Sequence, residues 1–190
     1  MRIAHHRSLL ALVAALGCDS GAIPADNCGS KSASANLVPN GTFDRGAEGW
    51  TADPAGGATA AEDAAGCSAS HSLALTTVAA ADGAVLYGQS ISNCFALPVA
   101  PRMSFGAMMK RIEGASVSCY LTVWKDTAAC EQRAEGGERL DSIDNGLSPV
   151  GEWDSVSVQL DASAGALGRV TCRTDGRGYV DEVFVTSGAF

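Results

Sequence analysis

The sequence predicts one all-β domain, a sandwich of two antiparallel sheets carried behind an export leader. Three observations carry this. Beyond residue 36, apolar residues fall in short or alternating runs: MSFGAMMKR at 103–111, VSCYLTVW at 117–124, DSVSVQL at 154–160 and GYVDEVFV at 178–185. Turn-forming residues separate them, at Glu113-Gly114, Asp144-Asn145-Gly146 and Asp175-Gly176. No stretch shows helical periodicity with caps, and Ala58 to Ala65 offers at most a turn of helix. Many short strands with regular turns make a sandwich.

Taken in order, residues 1–17 read as an address. Arg2, His5, His6 and Arg7 make a basic start, and the apolar run from Ser8 to Gly17 is too short to span a bilayer. Ala15-Leu16-Gly17 before Cys18 resembles a bacterial lipobox, although Ala15 stands where Leu is usual. The resemblance implies that Cys18 becomes the lipidated N-terminus, an anchor that is stable when several acyl chains share it. The competing reading is an ordinary secreted protein cut nearby. Cys18 to Ala35 is rich in Ser, Ala, Gly and Asp and reads as a flexible tether. The folded domain then spans 36–190, enough for one adequate core.

The chain carries 13 basic and 21 acidic residues, a net charge of −8. Removing residues 1–17 takes away two arginines and leaves −10. Such a surface argues against nucleic acid and against electrostatic docking on anionic lipid. Contact with the membrane is therefore expected through the lipid anchor alone, and the domain is expected to be a monomer.

After Cys18, six cysteines remain, with neither a C-x-x-C pair nor a cluster with His, so disulfides are expected rather than zinc. Ser72 to Val78 and Ala84 to Ile91 look like two strands around a turn at Ala81-Asp82-Gly83. Such a hairpin would set Cys67 opposite Cys94. Cys119 and Cys130 flank one strand and its following turn and are expected to pair. Cys28 and Cys172 are left by elimination.

The two ends of the domain carry a resemblance. Asn36 to Trp50 reads NLVPNGTFDRGAEGW, and Tyr179 to Val185 reads YVDEVFV. These are similar to the first and last strands of carbohydrate-binding modules of the family 4/9 type, which have a galactose-binding-like jelly-roll fold. HSLAL at 71–75, MSFGAMMK and Gly151-Glu152-Trp153 fall where that family has counterparts. The resemblance implies a jelly roll, with Trp50, Trp153, Phe43, Phe105 and Tyr179 packed in its core. It also implies one structural calcium, with Asp44 and Asp181 as side-chain ligands. Both are hard oxygen donors suited to Ca²⁺, and carbonyls near Asn40 and around Asp63 would complete the shell. The plain alternative makes both aspartates ordinary polar residues at strand ends.

A sugar site needs aromatic rings that stack on a pyranose face, with polar groups nearby to read its hydroxyls. The aromatic residues not assigned to the core are Tyr87, Tyr120 and Trp124. In CYLTVW, alternation sets Leu121 and Val123 on one face and Tyr120, Thr122 and Trp124 on the other. These rings either form a carbohydrate-binding surface or simply cover the sheet.

Catalytic signals are weak. His71 is the only histidine after the leader and has no nucleophile motif around it. Gly-rich stretches at 53–58 and 135–138 lack the strand–loop–helix setting of a phosphate cradle. The expected protein is a non-catalytic cell-envelope lipoprotein that binds polysaccharide, on an outer or periplasm-facing membrane. The alternative is a structural or adhesive envelope protein that uses the same fold for protein contact. An uncharacterised hydrolase is a third class.

Overall fold

A computed structural model describes residues 36–61, 71–100, 102–133, 135–161 and 166–187. Cys18, Cys28, Asp63 and Cys67, with the expected leader and tether, lie outside the described residues. In chain order the elements are β1 (Trp50–Ala52), β2 (Ala58–Ala61), β3 (Ser72–Thr76), β4 (Val78–Ala79), β5 (Val85–Leu86), β6 (Gly88–Ser92) and β7 (Phe95–Ala96). Then follow β8 (Arg102–Glu113), β9 (Val117–Trp124), α1 (Thr127–Gln132), β10 (Glu138–Asp144), β11 (Trp153–Asp161), β12 (Leu167–Thr174) and β13 (Arg177–Ser187).

The strands form two antiparallel sheets. The first runs β1-β6-β12-β9-β10, with β7 also beside β12, and the second runs β11-β8-β13-β3-β2. Their facing sides build one core, including Leu73, Leu75, Met103, Phe105, Met109, Leu121, Val170, Val180 and Val185. This is the expected all-β sandwich. Strand β9 shows why the alternation was legible: Val117, Cys119, Leu121 and Val123 are buried, and every residue between them is half-buried.

The hairpin expected around 81–83 forms, but only as the short pair β4–β5. Beyond it the chain parts: β3 joins β13 in the second sheet and β6 joins β12 in the first. Two sheets packed face to face lie about 10 Å apart, so these strands do not bring Cys94 opposite the residues that precede β3. Cys94 bonds instead to Cys130 of α1, Cα to Cα 6.3 Å. The expected Cys119–Cys130 pair is also replaced. Cys119 lies five residues before the end of β9, roughly 17 Å along an extended strand, and its side chain points into the core. There it faces Cys172 directly across the β9–β12 ladder, Cα to Cα 4.0 Å, and bonds to it. Cys172 is therefore unavailable to Cys28.

The opening segment is not the regular strand that its motif suggested. Asn40 and Phe43 both have φ near +50°, which breaks any extended run. Asn40 instead cages a set of turns, its amide donating to the Gly46 and Glu48 carbonyls and its Oδ1 accepting from the Arg45 N–H. The residues before it dock along β13: Leu37 N–H donates to the Val185 carbonyl and Val183 N–H to that of Gly41. A Cβ on residue 41 would lie 2.0 Å from the Val183 oxygen, so this close approach requires glycine.

Of the five aromatic residues assigned to the core, Phe43, Trp50 and Phe105 are there. Trp153 and Tyr179 are not. They stand half-buried on the outer face of the second sheet, in a register row with Lys110 between them. The Lys110 ammonium lies 5.7 and 5.6 Å from the two ring centroids. Strand parity decides this: neighbouring Met109 and Val180 fill the core, so Lys110 and Tyr179 must face away.

Candidate functional site

The outer face of the first sheet collects the three residues expected to bind sugar. Tyr120 and Trp124 project from β9 on the side opposite Leu121 and Val123, as alternation required. Tyr87 lies just before β6 and is 53% exposed. Strands β12 and β10 add two arginines that sequence reading did not single out. The Arg173 guanidinium sits 4.9 Å from the Tyr87 ring and 5.7 Å from that of Tyr120, and Arg139 sits 4.1 Å from Tyr120. The result is an aromatic–cation band, Tyr87–Arg173–Tyr120–Arg139, running across β6, β12, β9 and β10. Each guanidinium is attracted by the negative face of the ring beneath it. Tyr120 is consequently not a bare stacking platform, since Arg139 already occupies its face.

Trp124 lies four residues further along β9, about 13 Å away. Its ring is held by residue 137, where any Cβ would meet Cε2, Cζ2 and Nε1 at 2.5–2.7 Å. It borders a hollow of about 620 Å³ lined also by Lys125, Asp126, Glu135, Glu138 and Leu140. An apolar ring with carboxylates and an ammonium nearby is the combination that can stack on a pyranose and read its hydroxyls.

Over β12, beside the Trp124 end of the sheet, stands α1, which the sequence reading did not include. Asp126 caps it, accepting from the Ala129 N–H at 2.8 Å, and Arg133 ends it in the left-handed region. The Cys94–Cys130 bond pins it to the outer face. Beneath it lies Arg169, level with Thr122 and therefore between Tyr120 and Trp124. Arg169 donates to the Ser92 and Cys130 carbonyls. Burial holds its guanidinium below the usual value, nearby Arg133 adds to this, and Glu131 opposes it. An arginine so placed still keeps its charge, and the two carbonyls answer it. The one available sequence signal was Asp126 before Thr127-Ala128-Ala129, a helix-start pattern.

The two aspartates expected to hold calcium sit in different surroundings. Asp181 is fully buried, its Oδ1 accepting the Glu182 N–H at 2.7 Å. Asp44 is exposed and accepts from the Thr42 hydroxyl. Their backbones are close, because Gly41 and Val183 are hydrogen-bonded. Among the described residues no three His, Cys, Asp or Glu side chains converge as a metal-holding group. Calcium here would thus depend largely on carbonyls, water or residues outside the described set, as a hard oxygen-liganded ion permits. His71 is half-buried at the start of β3.

No protein-family model matches the sequence, and no curated protein matches it. Solved structures do. The CBM22-1–GH10 modules of an endo-1,4-beta-D-xylanase from Clostridium thermocellum, complexed with xylohexaose, align at 17% identity and TM-score 0.54, over 82% of this chain and 29% of that one. TmCBM61 in complex with beta-1,4-galactotriose aligns at 15% identity and TM-score 0.52, over 80% and 99%. A cleaved adhesin domain of Lys-gingipain from Porphyromonas gingivalis aligns at 16% identity and TM-score 0.50, over 80% and 99%. At such identities the likeness concerns the fold, and this fold is the jelly roll of the carbohydrate-binding modules.

Proposed function

We propose that the chain is a non-catalytic glycan-binding module of a cell-envelope lipoprotein, gripping an extended polysaccharide across the outer face of its first sheet. One observation carries the reading: the half-buried Trp124 ring borders an open hollow furnished with Lys125, Asp126, Glu135 and Glu138. The fold supports it, because solved neighbours with the same architecture hold beta-1,4-galactotriose and xylohexaose. Tyr120, about 13 Å away along β9, and Tyr87 further along the same face, each with an arginine over its ring, extend the surface beyond one sugar, so an oligosaccharide rather than a monosaccharide is the expected ligand.

Affinity electrophoresis against neutral and acidic polysaccharides tests this. Trp124→Ala should weaken binding by roughly 1–2 kcal/mol, the scale of a stacked ring with its lost apolar burial. Because the ring is half-buried, the melting temperature should fall by a few degrees without loss of the fold. Retardation on no polysaccharide would defeat the reading. It would favour protein contact instead, for which exposed Val85 and Leu86 beside Tyr87 offer an apolar strip and the adhesin neighbour a precedent in fold.

A further inference from the structure

The aromatic–cation band has a property that a neutral sugar would not require. Arg45, Arg133 and Arg177 are ion-paired, and Arg111 and Arg169 donate to backbone carbonyls. Arg139 and Arg173 do neither, like exposed Arg102 on the second sheet, but unlike it each is held by tyrosine rings. Stacking fixes the plane of a guanidinium while leaving its N–H fork unused, and that fork matches the two oxygens of a carboxylate. The chain as a whole carries −8, so two uncommitted cations on one strip stand out locally.

The other end of the same face has the opposite character, since Asp126, Glu135 and Glu138 surround the Trp124 hollow with only Lys125 among them. A uniform polyanion would be repelled there. From this we infer that the site takes a glycan whose acidic groups are spaced apart. A neutral sugar would stack on Trp124, and a uronate carboxylate would be received by Arg139 and Arg173. This rests on the glycan-binding reading above and names the class of ligand for that same face.

The test uses the full exported chain and one glucuronate-bearing polysaccharide, glucuronoxylan, before and after chemical reduction of its carboxyl groups to alcohols. Backbone and length are unchanged, and only the charge is removed. The acidic form should bind on the order of tenfold more tightly, the effect of one charge-assisted contact. That preference should shrink in 0.5 M salt. Arg139→Gln with Arg173→Gln should abolish the preference, so that the acidic and reduced polymers bind the variant alike. Trp124→Ala should weaken both forms alike. Polygalacturonate, acidic at every residue, should bind more weakly than glucuronoxylan. Equal binding of the native and reduced polymers, or a preference that survives loss of both arginines, would overturn the inference alone. Retardation by no polysaccharide would remove the glycan-binding reading and this inference with it.

Discussion

The pairing of Cys119 with Cys172 is open to direct test, because local spacing favours Cys119–Cys130. The bond links residues 53 apart in sequence, and the Cys94–Cys130 bond links residues 36 apart. Chain-entropy scaling gives about 4 kcal/mol for either loop, through restriction of the unfolded chain. Replacing Cys119 and Cys172 together by Ala should therefore remove about 4 kcal/mol, a large share of the 5–15 kcal/mol typical of a folded domain. At about 2–4 °C per kcal/mol for a chain of this size, the melting temperature should fall by roughly 8–16 °C. Urea melts and non-reducing peptide mapping of the oxidised protein check the two halves of the claim. A peptide joining Cys119 to Cys130 would refute the register on which the first sheet depends. A fall of only a degree or two would show that the unfolded chain does not feel the cross-link.

Three other perturbations read different parts of the molecule. Gly41→Ala forces a methyl into the Val183 carbonyl at 2.0 Å, and chemical melts should show a loss of about 1–3 kcal/mol; an unchanged midpoint would mean that the opening segment does not dock on β13. If calcium sits between the Gly41 turn and Asp181, it should raise the melting temperature, and Asp181→Asn should abolish that rise while Asp44→Ala reduces it; EDTA without effect on the unmodified protein would remove the ion from consideration. Cys18→Ala should move the protein from the membrane fraction to the soluble one, and an intact mass without acyl chains would reject the anchor.

Which features could be read from the sequence depended on how local their causes are. Strands β9 and β11 were legible because burial alternates along them, and β8 and β13 because each is a nearly continuous buried run with a turn at one end. Strand β12 was not: its LGRVTCRT run holds Arg169 and Thr171, both buried on the outer side, and nothing in that run announces the helix that covers Arg169. The crossing of the chain from β3 to β6 was hidden for a related reason. Two strands around a turn look the same whether they stay paired or pass to opposite sheets, and partners distant in sequence decide which. Both disulfide corrections descend from this. Trp153 and Tyr179 were placed in the core on resemblance, and only their register with Lys110 reveals the outer face. The outward placement of Tyr120 and Trp124 was legible, since it follows from alternation alone.

The two outer faces of the sandwich are not equivalent, and the difference favours the first as the place of the proposed site. On the second sheet, Phe184 lies over the Cα of Gly106, where a Cβ would meet its ring at 2.5 Å, and Ser104, Met108, Asp181 and Thr186 are buried around it. The middle of that face is closed, although Ser155, Ser157 and Gln159 of β11 stay exposed at its edge, and its two half-buried rings are joined through Lys110. On the first sheet Tyr120, Thr122 and Trp124 of β9 are all half-buried, and the covering over β12 comes from α1. The single turn of α1 cannot stand alone, since a helix this short is marginal without packing. The Cys94–Cys130 bond and the Arg169 hydrogen bonds hold it over β12, towards the Trp124 end of the sheet. A tryptophan and three carboxylates lie at that end, and two guanidiniums lie over tyrosine rings further along the face. A glycan bound as proposed would meet different chemistry at its two ends, because neither half of the face could exchange roles with the other.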